Sequence, residues 1–195
     1  MADAIRVGQF TPLFMALGFA ITGAVGFLGV IDMTSLTWPV IVLFIGGIVL
    51  TLFAKAIRPS SVAFHPANPG VLIVSVMVSL ALMGFSTALL YQLGLGMAMI
   101  EGGLLVVILF AIYEETFMLG MNAVLKAAGL PDLYCLVVST MVFVPMHALV
   151  YSLVLSTVLF LVISRVILTA GLFITDNSDE PFATHILWNV LVVGI

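Results

Sequence analysis

The chain has 195 residues, 64% of them hydrophobic and only 7% charged, with a mean hydropathy of +1.38. Soluble domains carry roughly 25% charged and about 45–50% apolar residues, and a soluble chain of this size cannot hide so much apolar surface in one core. This excludes a soluble enzyme, a disordered chain and a secreted disulfide scaffold. The net charge of −4 offers no basic face to nucleic acid, and the single cysteine, Cys135, allows neither an internal disulfide nor a Cys-rich metal site.

What remains is an all-α integral membrane protein, because irregular backbone cannot face lipid. The expected architecture is one membrane domain over residues 1–195, a polytopic bundle of about seven spans, each needing about 20 mostly apolar residues. In chain order these are Thr11–Ile31, Trp38–Ile57, Val71–Leu93, the long Met97–Lys126, Leu133–Leu149, Ser152–Thr175 and Pro181–Ile195. The last is short for a full crossing, and the break between the fifth and sixth falls near Val150–Ser152. Gly129 and Pro131 give the fourth span a stop signal. Residues 176–181 (Asp-Asn-Ser-Asp-Glu-Pro) read as an acidic turn. Gly23, Gly26, Gly46 and Gly47 suit close helix packing, and Met118, Met121, Met141 and Met146 suit gap-filling in the core. His65 lies in a polar loop and is expected to be solvated. With alternating crossings Arg6, Lys55, Arg58 and Lys126 fall on one face, which the positive-inside rule assigns to the cytoplasm together with the N-terminus.

Ionisable residues inside a span are costly and by default mark function. Glu114 and Glu115 are adjacent in the fourth span, His147 is deep in the fifth, Arg165 lies in the sixth, and His185 and Asn189 lie in the last. Phe143 and His147 share a helix face, as do His185 and Asn189. The two glutamates point about 100° apart, so at most one faces a common centre squarely and the other needs a second partner. Two adjacent carboxylates in low dielectric do not easily both ionise, which suits one of them to general-base work.

These residues resemble the motifs of the intramembrane CAAX-protease and bacteriocin-processing family. Its pattern of Glu-Glu-x-x-x-Arg, Phe-x-x-x-His and His-x-x-x-Asn reads here as Glu114-Glu115 with Leu119 in the Arg position, Phe143 to His147, and His185 to Asn189. The resemblance covers about residues 113–192. It implies a glutamate-dependent intramembrane endopeptidase acting on a peptide or lipidated protein. Glu114 with His147 would deprotonate a water, His185 and Asn189 would hold the oxyanion, Glu115 would orient its neighbour, and Phe143 would wall the site. Leu119 leaves Glu115 without the family's cation. Arg165, the one cation within a span, is expected to approach Glu115 or Glu114 instead. At about 1.5 Å per residue, Glu114 is about 18 Å from the cytoplasmic end of its helix and His185 about 6–8 Å past Pro181. The two meet only if the 176–181 turn dips into the bundle or the helices tilt.

No cofactor is implied, although zinc could use the same Glu and His atoms with an open position. A second reading is a non-catalytic structural or adaptor subunit among other membrane subunits, with Glu and His as helix–helix ties. A proton relay or transporter built on Glu114, Glu115 and His147 is a third.

Overall fold

The computed structural model of the protein describes residues 4–28, 37–95, 103–147 and 154–193. The described elements are β1 (Ile5–Val7), α1 (Thr11–Leu28), α2 (Thr37–Ile57), β2 (Val62–Phe64), α3 (Pro69–Gln92), α4 (Leu104–Ala127), α5 (Asp132–Met146), α6 (Leu155–Thr175) and α7 (Asp179–Val193). Each apolar stretch of the sequence is a helix. Three of them, α3, α4 and α6, are long and apolar enough to cross a membrane. By contrast α7, at 15 residues, reaches only about 22 Å, short of a hydrocarbon core of about 30 Å. The segment around residues 150–152 and the stretch 97–102 lie outside the described residues.

Local chemistry sets the helix ends. The side chain of Asn68 accepts hydrogen bonds from the backbone N–H of Gly70 and Val71, and Pro69 follows it at the first helical position, where its missing N–H costs nothing. After α4 the chain turns at Gly129 with φ of +82°, a left-handed position that glycine adopts without strain.

The bundle is all-helical, with one short strand pairing beside it. Residues 5–7 and 62–64 pair as two short parallel strands, Ile5 opposite Val62 and Val7 opposite Phe64. Both segments are non-helical backbone leaving the bundle at the same end. Pairing them satisfies groups that would otherwise need water.

α4 is the central element, packed against α1, α2, α5 and α7. Its closest approach is to α2 through two glycines. A Cβ built on Gly47 would lie 2.3 Å from the Thr116 carbonyl oxygen, and one on Gly120 would lie 2.2 Å from the Gly47 carbonyl oxygen. Gly46 is less tight, with Phe117 at 3.7 Å; the packing of Gly23 and Gly26 lies outside the described residues. The main apolar cluster joins Phe44, Ile112, Tyr113, Leu119, Leu172 and Phe182, and a smaller one joins Met118, Phe143 and Leu161. Met141, expected in the core, points outward instead.

The acidic turn is not a solvated loop. Asn177, Ser178, Asp179 and Glu180 are all buried. Each is held by a distant segment. Ser178 N–H donates to the Arg6 carbonyl and its hydroxyl accepts from Gly8 N–H at 3.0 Å. The Asp179 carboxylate accepts from the backbone N–H of Phe10 and Thr11 and from the Thr11 hydroxyl. It thus caps α1 from outside that helix. Asn177 donates to the carbonyl of His65, whose own side chain is exposed. Arg6 and Asp176 close the outside with an ion pair at 2.7 Å. The turn therefore enters the bundle and carries the start of α7 inward.

Candidate functional site

Glu115 is fully buried. Its carboxylate takes a bidentate grip from Arg165 of α6, Nη1 at 2.9 Å from Oε1 and Nη2 at 3.2 Å from Oε2. Arg165 itself is fixed by its Nε–H donating to the Thr169 hydroxyl at 2.9 Å, one turn along the same helix, and by its guanidinium lying over the Phe143 ring at 5.2 Å. The pair is 1% and 2% exposed. Arg165 thus does from another helix what a residue at position 119 would do from the same one. Leu119 is buried in the main apolar cluster.

His185 lies between the two glutamates. Its Nδ1 is 2.8 Å from Glu115 Oε1, and since an Arg-paired carboxylate only accepts, Nδ1 carries the proton. Its Nε2 is 3.6 Å from Glu114 Oε2. His147 repeats this arrangement from α5. Its Nδ1 donates to the Phe143 carbonyl at 2.9 Å, and its Nε2 is 3.4 Å from Glu114 Oε1. So both imidazoles turn Nε2 toward Glu114, one to each carboxylate oxygen. With the proton on Nδ1 of each neutral ring, Nε2 turns a lone pair toward Glu114. At 3.4 and 3.6 Å both separations are longer than a good hydrogen bond. Glu114 is also the more accessible carboxylate, with its side chain 16% exposed.

Phe143 packs on this constellation, its ring 4.3 Å from that of His147 and 6.4 Å from that of His185. Pro145 lies inside α5 and His147 caps its end, where the helix has run out of backbone donors for its last carbonyls. Asn189 does not join the cluster. One turn beyond His185, about 6 Å along the axis, its amide donates to the Val107 carbonyl of α4 at 3.0 Å. That hydrogen bond is a tie between α7 and α4.

Sequence reasoning named Glu114, Glu115, His147, His185, Phe143 and Arg165, and these six adjoin one another. It missed Thr169, whose signal was its i+4 spacing from Arg165 on a helix. It also missed the anchoring of α7 by Asp179 to Thr11 and by Glu180 to Ser79, contacts that span more than 100 residues of chain and leave no local trace. Among the described residues no group of three or more His, Cys, Asp or Glu is disposed to hold a metal ion. Comparison of the chain with family models, with curated proteins and with solved structures found no match.

Proposed function

We propose that the protein is a multi-pass membrane protein acting as a glutamate-dependent endopeptidase within the bilayer, with its N-terminus in the cytoplasm. The observation that carries the reading is Glu114: the more exposed of two adjacent carboxylates inside the bundle, with one imidazole Nε2 near each oxygen. A water held by Glu114 and His147 attacks a peptide carbonyl and gives its proton to Glu114. Protonated at Nε2 as well, His185 donates to the oxyanion while its Nδ1–H stays on Glu115. The proton passes to the leaving amine as the C–N bond breaks, leaving an acid and an amine. Glu115 and Arg165 touch no substrate; they hold His185. The motif order shared with the CAAX-protease and bacteriocin-processing proteins points the same way, and a peptide or lipidated protein would be the substrate. The outward faces of α3, with Val74, Met77, Val78 and Phe85 exposed, would then lie against lipid.

The test is Glu114→Gln in the purified, reconstituted protein. Cleavage of membrane-inserted peptides is expected to fall by about 10²–10⁴-fold, with the unfolding temperature unchanged. Cleavage equal to wild type removes the enzyme reading, and loss of cleavage on chelation replaces the general base with zinc. Asn189 favours a second reading. Its amide is committed to Val107, as helix–helix glue in a non-catalytic subunit would be. Purification only inside a larger complex, with no cleavage by wild type, would select that reading.

A further inference from the structure

Glu180 is a second buried carboxyl that the proposed reaction does not use. It is 0% exposed. Oε1 gathers three hydroxyls: Ser79 at 2.7 Å and Ser75 at 3.4 Å from α3, and Thr184 at 3.1 Å from α7 itself. Oε2 has no hydrogen-bond partner. It is pressed against Gly171 of α6, where a Cβ would come within 2.0 Å. One carboxyl thus joins α7 to both α3 and α6.

The charges around it are all engaged elsewhere. On α7, the neighbouring Asp179 carboxylate is taken by the start of α1. On α4, Glu115 is held by Arg165 and His185, and its negative charge opposes a second anion. Among the described residues, α3 presents the hydroxyls of Ser75 and Ser79 to Glu180, and α6 presents Gly171. The α7 N-terminus favours an anion slightly, but an unpaired ion in a dry interior costs more than a helix end returns. A neutral acid fits the cavity. It can donate to one hydroxyl and accept from the others.

We infer that Glu180 is a proton-binding site whose protonated form clasps α7, and with it His185, to α3 and α6, and whose ionisation loosens that clasp. Burial with no cation beside it among the described residues favours the neutral acid and the nearby Glu115 adds to this, while the hydroxyls of Ser79, Thr184 and Ser75 favour the anion less. The sign follows from linkage. A group raised on folding contributes stability that is full below its unfolded value and is lost as pH rises through its folded value. The clasp is independent of the hydrolase reading, because its readout needs no substrate.

Trp188, on the same helix, reports the docking of α7. Its ring is 6.0 Å from that of Phe160 on α6 and it abuts Gly84 on α3. In a Trp38→Phe background it is the one tryptophan of the chain. The full-length protein, reconstituted in vesicles, is taken from about pH 6 to about pH 10 while Trp188 fluorescence is followed. Wild type is expected to show a reversible transition that Glu180→Gln, a mimic of the neutral acid, lacks. Ser79→Ala removes a hydroxyl that favours the anion, so its midpoint should move to higher pH. Because a packing role alone would not move that midpoint, this variant decides the matter if Glu180→Gln fails to fold. No transition in wild type, the same transition in Glu180→Gln, or an unmoved midpoint in Ser79→Ala overturns the inference.

Discussion

Arg165 and Glu115 are buried together, and the energetics of that pairing are lopsided. Taking both ions out of water costs about as much as their attraction returns, so the intact pair adds little net stability. Removing one partner is different, because it strands the other charge in the bundle. Arg165→Met is therefore expected to destabilise the protein by about 3–5 kcal/mol, read from denaturant unfolding in detergent. Adding Glu115→Gln should recover a large part of that loss, since the single changes are not additive within one network. Two single variants whose costs simply sum would contradict the pairing. The same changes should release His185, so cleavage should suffer in the double variant even where stability returns.

At the scale of helices, α4 owes its central place to small residues rather than to long apolar ones. Gly47 and Gly120 bring the α2 and α4 backbones into contact, and neither position has room for a methyl group. Gly47→Ala is expected to push the helices apart and lower the unfolding temperature. Gly46→Ala, one residue away with Phe117 at 3.7 Å, should change it little. A comparison of the two melting curves checks this, and equal losses would mean that composition rather than contact matters. The spacing is legible in the sequence as adjacent glycines in an apolar helix. Which of them meets the partner backbone depends on the rotation of α2, which the pattern does not encode.

The whole molecule is closed at one end. β1, β2, the Asn177–Glu180 turn and the Arg6–Asp176 pair all gather there, and Arg58 follows α2 on the same side. If the positive-inside rule governs insertion, this end faces the cytoplasm. A cysteine placed at His65 or Asn68 in a Cys135→Ala background should be labelled by an impermeant maleimide only from that side. Labelling from the opposite side reverses the proposed orientation, and labelling from both would mean mixed insertion. The end also explains how a short last helix reaches a deep site. The turn starts inside the bundle, so 15 residues suffice to carry His185 to Glu115.

The sequence by itself determined the helices and the polar residues among them. Hydropathy over about 20 residues is a local property, and a charge in an apolar run stands out without any knowledge of its partner. It also left Glu115 without the motif's cation and offered Arg165 as the candidate within a span, for Glu115 or Glu114 alike. Only the tertiary structure decided who meets whom. It gave Glu115 to Arg165 and left Glu114 open, and it turned Asn189 aside to Val107. It also drew the acidic turn indoors. Those outcomes depend on helix rotation and depth, which are set by packing between segments far apart in the chain.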